Sequence, residues 1–209
     1  RSILQPKSAF KVDGSAYHHG GHYHSYACGA FAHLPALFRD LNNTPWDIGE
    51  SAHERLRRAM LAQRFYANRL DLPIALKGRS PFAPGYGVIR ANVIDAIGVL
   101  ATCGSPDGEQ QVDREVAAAY LRLMPEAAGN EPYVSLGIQP EPEPNGCFAM
   151  PYAGLLCHRR DNWLAAVKGQ SKYVWGSERQ AQRNCFGLFQ GLGSLEILAG
   201  GDPVSLARG

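Results

Sequence analysis

Between about Pro125 and Gly146 the chain turns Gly-, Pro- and Glu-rich, and Pro140, Pro142 and Pro144 alternate with Glu141 and Glu143. Each proline fixes φ near about −65° and withholds a backbone N–H, so neither a helix nor a central strand can pass through. The stretch suits an extended connector. Residues before it carry helical patterning and residues after it strand patterning. Helices followed by strands, rather than alternating with them, argue against a doubly wound sheet and for an α+β fold or two abutting domains. The division predicted is helical over 1–128, an extended connector over 129–146 and antiparallel β over 147–209.

Within the first part, Ser51-Ala52-His53-Glu54 has the form of a capping box, followed by Leu56, Met60 and Ala67 at near-helical spacing. Arg55, Arg57, Arg58 and Arg64 occupy much of the remaining surface and read as a solvated helix face rather than a polysaccharide track. Further helices are predicted from Val88 to about Leu100, from Asp113 to Leu123, and from Ala27 to Leu41, where Pro35 must sit in the first turns or kink the helix. Past the connector, Gly154–His158 and Trp163–Val167 flank Arg159-Arg160-Asp161-Asn162 as a hairpin. Short strands are expected at Lys172–Trp175, Gly187–Leu192 and Leu195–Leu198.

Lys+Arg 21 against Asp+Glu 19 leaves a net charge of +2, far from the balance of a chain whose surface grips nucleic acid. Any polyanion must be met by a local patch. No apolar run approaches the ~18 residues needed to cross a bilayer, so no membrane partner is expected. Cys28, Cys103, Cys147, Cys157 and Cys185 show no C-x-x-C pairing, which signals neither a zinc ribbon nor a disulfide scaffold. The start, Arg1-Ser2-Ile3-Leu4, carries no signal-peptide pattern, and 147–209 is short for a complete sandwich. The expectation is an excerpt of a longer polypeptide, whose remainder is then a partner.

Chemistry concentrates in Asp13–Tyr26. Four of the 7 histidines and three of the 9 tyrosines fall between Tyr17 and Tyr26, among Gly14, Gly20 and Gly21, which suit a loop that approaches a ligand closely. Three readings stand. Imidazoles and phenols could pack the loop against the helices; neutral imidazoles could hold a metal; or His and Tyr could perform acid–base chemistry on one substrate proton. Periodicity does not choose among them.

The stretch Asp13-Gly-Ser-Ala-Tyr-His-His-Gly-Gly-His-Tyr-His-Ser-Tyr26, running on to Ala30-Phe31, resembles the catalytic loop of the chondroitin ABC lyases. These are relatives of the polysaccharide lyases that act on hyaluronan, chondroitin and xanthan. Three more stretches agree in order: Thr44-Pro-Trp-Asp-Ile-Gly-Glu50, Gly78-Arg79-Ser-Pro-Phe82 and Tyr173-Val-Trp-Gly-Ser-Glu178. The resemblance implies a lyase that cleaves glycosaminoglycans such as chondroitin or dermatan sulfate, and hyaluronan, by β-elimination at a uronic acid. It implies later helices of an α/α toroid followed by the first strands of an antiparallel β-sandwich domain, in a secreted or periplasmic enzyme. The family's catalytic residues fall on His19, Tyr26, Arg79 and Glu178, with His18, His22 and Tyr23 expected to bind substrate. His22 and His24 depart from the family pattern and bear on substrate preference rather than on the reaction.

The residue types suit the chemistry. Removing a proton α to a carboxylate builds a second negative charge unless cationic or hydrogen-donating groups neutralise the acid. His18, if protonated, is a candidate, and a divalent cation such as calcium could share the task, although no metal ligands are assigned. Arg79 would favour the Tyr26 phenolate, and Glu178 would fix Arg79 or a histidine. Tyr26 could then take the C5 proton of glucuronate and return it to the glycosidic oxygen, while His19 serves as base for the epimeric iduronate. The bland alternatives are a solvated loop arginine, a surface carboxylate and a core tyrosine. Two other function classes remain, a non-catalytic glycan-binding module and a metal-dependent hydrolase using the histidines.

Overall fold

The computed structural model describes residues 9–126, 128–185, 187 and 191–200. Among these, a two-stranded ribbon, β1 (Tyr17–His18) and β2 (Gly21–His22), precedes α1 (His24–Leu41), α2 (Glu50–Tyr66), α3 (Ala91–Ala101), α4 (Arg114–Leu123) and the short α5 (Glu131–Val134). Strands β3 (Gly146–Met150), β4 (Leu155–Arg160), β5 (Trp163–Lys168) and β6 (Ser194–Ala199) then form one antiparallel sheet in sequence order. The fold is α+β.

Local chemistry explains where the elements differ from expectation. The capping box does not form: α2 starts two residues earlier, behind Gly49 at φ +83°, and Ser51 lies inside the helix without capping it. Glu54 turns instead to Arg58, at 2.8 Å. Helix α1 continues past Pro35, which lies well beyond its first turns. Lys172–Trp175 is a turn rather than a strand, because the Ser171 hydroxyl accepts the N–H groups of Tyr173 and Val174 at 3.1 and 3.2 Å. The connector is extended only in its later part, since α5 occupies 131–134 and β3 begins at Gly146. Part of the strand expected at Gly187–Leu192 lies outside the described residues.

Helix α3 carries Val93, Ile94, Ile97 and Leu100 into the core and packs between α1 and α4. One apolar cluster continues from the helical part (Phe31, Leu56, Tyr66, Leu72) into the sheet (Met150, Leu155, Cys157, Leu164, Leu198). The connector therefore marks a change of secondary structure and not a gap in the core.

A chain of alternating charges lies across the same junction. Arg57 pairs with Asp113 and Glu115, each at 2.5 Å; Arg64 pairs with Glu115 at 2.5 Å and Glu141 at 2.9 Å. Arg122 continues to Glu141 at 3.0 Å and Glu143 at 3.4 Å, and Arg159 closes the chain on Glu143 at 3.1 Å. Arg159 is buried on β4, and it also donates to the Ala67 carbonyl at the end of α2. Arg57 and Arg64 are thus tied into the fold rather than solvated, Arg57 on Asp113 and Glu115 and Arg64 on Glu115 and the connector's Glu141.

Asp113 serves twice here, capping α4 through the N–H groups of Glu115 and Val116, both at 3.1 Å, while holding Arg57. Asp113→Ala should cost about 1–3 kcal/mol in urea unfolding, combining a lost cap with the loss of one carboxylate partner of Arg57. Glu54→Ala, which breaks a largely exposed pair, should cost under about 1 kcal/mol. Equal losses would contradict this ranking.

Candidate active site

Only His19 and Gly20 join β1 to β2. Their φ values, +47° and +80°, are the left-handed pair demanded by a two-residue hairpin turn of the mirror type. Gly20 is required on a second count, because a Cβ there would lie 2.5 Å from the indole of Trp175, and the main-chain N–H of Trp175 donates to the Gly20 carbonyl at 2.7 Å. Tyr26 sits in the first turn of α1. Gly78, at φ +67°, passes so close that a Cβ would meet the Ser25 hydroxyl at 3.0 Å and the Tyr26 ring at 3.3 Å. That approach brings Arg79 to Tyr26.

The four expected catalytic residues meet at one point. Arg79 Nε donates to the Tyr26 hydroxyl at 2.7 Å, and the hydroxyl donates to Glu178 Oε2. Glu178 Oε1 bonds His19 Nδ1 at 2.8 Å and lies 3.7 Å from Arg79 Nε. A carboxylate only accepts, so Nδ1 of His19 donates in this bond, which in the neutral imidazole leaves the lone pair on Nε2. His18 stacks on His19 with ring centroids 3.9 Å apart and meets Tyr26 edge-on at 5.1 Å. Glu178 is mostly buried, whereas the side chains of His19 and Arg79 are 41% and 38% exposed and open to a ligand.

The electrostatics revise two expectations. Burial, reinforced by the Glu178 bond, raises the Tyr26 pKa above its ordinary value, and Arg79 only partly offsets this. The phenol is therefore held protonated rather than favoured as phenolate. Burial, with His19 beside it, lowers the His18 pKa, so His18 is a neutral hydrogen-bond donor at neutral pH and Arg79 is the cation of the cluster. Burial works against ionising Glu178, but bonds from Tyr26 and His19, together with Arg79, hold its pKa below the usual carboxylate range.

His22 and Tyr23, expected on substrate, are both 0% exposed. Their place is inside the wall: His22 Nδ1 accepts the Ala16 N–H at 2.9 Å and its ring packs edge-on to Tyr66, while Tyr23 packs edge-on to Tyr26. His24 is likewise internal, its Nε2 bonded to Gln63 at 3.0 Å. Alternation along the ribbon separates these roles, since Tyr17 and His22 share one face and His18 and Gly21 the other. The site does not fit a divalent cation either. Both oxygens of Glu178 are engaged, and no group of three or more His, Cys, Asp or Glu among the described residues could hold an ion. Sequence reasoning missed Trp175 as the plug of the turn, although it lies inside the quoted block ending in Glu178.

Comparison with known proteins gives the family. The family described as "Lyase, catalytic" matches residues 5–130, more than half of the chain. The chain belongs to this lyase family. The matched span of the lyase domain contains His18, His19, Tyr26 and Arg79. Alignment with relatives extends further: a chondroitin sulfate ABC exolyase of Bacteroides thetaiotaomicron is 33% identical over 91% of this chain, and one of Proteus vulgaris 34% identical over 95%. The chain spans about a fifth of the length of these curated relatives, 20% of each. In structure it is similar to a xanthan lyase of Paenibacillus (TM-score 0.68, 14% identity, 95% of this chain and 21% of that one). It is also similar to a chondroitin AC lyase of Streptomyces coelicolor A3 (TM-score 0.66, 18% identity, 92% and 30%). At such identities these likenesses speak to the fold alone.

Two wall histidines give the lyase domain an acid sensitivity. Burial lowers the pKa of His22 to about 3 and of His24 to about 4, from 6.5. Below about pH 6.5 the unfolded chain takes up protons that the folded chain refuses, so stability falls as pH drops toward 4. The slope is about 1.4 kcal/mol per pH unit for each histidine. The urea midpoint should fall between pH 7 and pH 5, and His24→Gln should remove about half of the histidine contribution. An unchanged midpoint over that interval would contradict buried neutral imidazoles.

Proposed function

We propose that this chain carries the catalytic residues of a glycosaminoglycan lyase that cleaves chondroitin or dermatan sulfate, and hyaluronan, by β-elimination at uronic acid, leaving unsaturated oligosaccharides. The observation that carries the reading is the convergence of His19, Tyr26, Arg79 and Glu178 on one partly open point, with Glu178 reaching it from the β part. The relatives' names supply the substrate class: they are chondroitin sulfate ABC lyases. A glycan-binding module would have no use for a carboxylate bonded to a tyrosine and a histidine, and a metal-dependent hydrolase would need a set of ligands that the described residues do not form.

In this reading Arg79 pairs with the uronate carboxylate and His18 donates a hydrogen bond to it, so that charge developing on the acid is neutralised as the C5 proton leaves. For glucuronate, the Tyr26 oxygen takes the C5 proton while its own proton passes to Glu178. The phenol then protonates the departing glycosidic oxygen and recovers its proton from Glu178, which returns every group to its starting state. For iduronate, whose C5 proton lies on the other face, Nε2 of His19 is the base and Tyr26 remains the acid; the proton gained by His19 is then lost to water and the Tyr26 phenolate takes one back, which resets the pair. Any assisting divalent cation would arrive with the acidic substrate, since the cluster offers it no seat.

The reading extends to architecture and place. The helices belong to the later part of an α/α toroid and the sheet to the first layer of an antiparallel sandwich. The outer face of the sheet, with Leu156, Val167, Leu195 and Ile197 exposed, suits covering by further strands of the full-length protein. An enzyme acting on an extracellular polysaccharide would be secreted or periplasmic.

In the full-length protein, Tyr26→Phe should lower kcat on chondroitin and dermatan sulfate alike by about 10²–10⁴-fold, read by ultraviolet absorbance of the unsaturated product. His19→Ala should cost dermatan cleavage at least as much as chondroitin cleavage. Near-normal turnover of Tyr26→Phe on chondroitin would make the tyrosine a packing residue and sink the acid–base scheme.

A further inference from the structure

Lys168 ends β5 and is 1% exposed, yet the bonds of its ammonium go to main chain: it donates to the carbonyls of Gly169 and Trp175, both at 2.8 Å. Burial lowers its pKa to about 8, with no carboxylate offsetting the loss of water. Titratable neighbours are scarce, His22 of β2 being the one that feels its charge, and that imidazole is neutral. For packing alone an apolar side chain would be the less costly solution, because desolvating a cation is unfavourable. The cation must therefore be judged by what its bonds hold.

They hold the segment that reaches the active site. After β5 the chain turns back, with Gly169 N–H on the Gly154 carbonyl at 2.8 Å and Ser171 N–H on the Val174 carbonyl at 2.8 Å. It then arrives at Trp175, three residues before Glu178. The main chain of Trp175 is gripped on both sides, its C=O by Lys168 and its N–H by the Gly20 carbonyl at 2.7 Å, while its indole lies against Gly20. Gly154 leaves the room this needs, since a Cβ there would stand 2.8 Å from the Gly169 carbonyl and 3.4 Å from the ammonium.

We propose that Lys168 is a positioning residue of the site: by gripping the Trp175 carbonyl it fixes the main chain that seals the His19–Gly20 turn and delivers Glu178 to Tyr26, His19 and Arg79. This rests on the function proposed above and adds a residue that none of the motif blocks contains. The bonds of Lys168 go to the Gly169 and Trp175 carbonyls and not to the four clustered side chains, so its effect must pass through the placement of Glu178.

The test is a double-mutant cycle in the full-length protein, with Lys168→Met, Glu178→Gln and the pair assayed on chondroitin sulfate. Lys168→Met should lower kcat by about 10- to 100-fold, the loss expected when a catalytic group is displaced by about 1 Å, with KM within about threefold of the parent. In the Glu178→Gln background the same change should cost less than about twofold, because a misplaced Glu178 and a missing one are equivalent. A merely structural lysine would instead multiply the two losses, and that result, or a Lys168→Met enzyme within twofold of the parent, overturns the proposal. Should Lys168→Met melt below the assay temperature, Lys168→Gln, which keeps two N–H donors, replaces it with a smaller kcat loss and the same masking by Glu178→Gln. Full turnover by Glu178→Gln alone would sink the catalytic reading of Glu178 and this inference with it, whereas full turnover by Lys168→Met alone sinks only the inference.

Discussion

The geometry of the site depends on how the helical part meets the sheet, and that junction is set by a row of ions running along a proline-stiffened connector. Prolines 140, 142 and 144 leave the connector few conformations to lose, and the carboxylates between them face Arg64, Arg122 and Arg159 from α2, α4 and β4. The net stabilisation from such a row is modest, because half-buried ions surrender hydration for each other. Its value lies in direction: an apolar cluster tolerates sliding, whereas alternating charges at 2.5–3.4 Å hold one register. Burial opposes the charge on Arg159 and Glu143 supports it, so that link is the one least able to reorganise.

With the junction fixed, the active site can be shared across it. The hairpin turn and the first turn of α1 supply His18, His19 and Tyr26, a tight glycine passage supplies Arg79, and the β part supplies Glu178. Each contributor is held by main chain rather than by side-chain packing alone. His19 sits in a left-handed turn, Gly78 permits close approach to Tyr26, and the Trp175 peptide ties the Glu178 segment to Gly20. Residues 159 positions apart, His19 and Glu178, therefore meet at 2.8 Å.

The sequence made some of this legible and hid the rest for physical reasons. Apolar spacing in α3 and α4 and the β4–β5 hairpin reflect burial on one face, which a period of 3.6 or 2 reports directly. The four clustered side chains came from resemblance in ordered blocks, since no spacing rule connects Tyr26 to Glu178. Three misreadings were decided by backbone or hydrogen-bond partners that periodicity does not report, two of them local and one distant in sequence. Ser51 lost its cap because Gly49 started the helix earlier, Lys172–Trp175 became a turn because Ser171 captured two N–H groups, and Arg57 and Arg64 left the solvent for carboxylates up to 77 residues away. His22 and Tyr23 were misplaced because a loop was expected where a ribbon forms, and the ribbon's alternation turns His22 inward while Tyr23, just past it, packs against Tyr26.

The charge count of the cluster bears on how a tyrosine can act as both base and acid. Arg79 carries one positive charge and Glu178 one negative, while His18 is neutral at neutral pH, so the two ions cancel before substrate arrives. A uronate adds one negative charge, and a free phenolate would add another within hydrogen-bond reach of Glu178, which burial and the carboxylate both resist. A mechanism that first ionises Tyr26 and then waits for substrate runs against this field. Moving the phenol proton to Glu178 as the C5 proton reaches the phenol oxygen avoids the extra charge, because each proton that departs is replaced in the same event. Glu178 is suited to be the temporary holder: it already accepts from Tyr26, and Arg79 can shift toward the substrate acid as the carboxylate becomes neutral. In the proposed reaction, the bond between Tyr26 and Glu178, rather than the cation alone, is then what would let a phenol of raised pKa remove a carbon-bound proton at neutral pH.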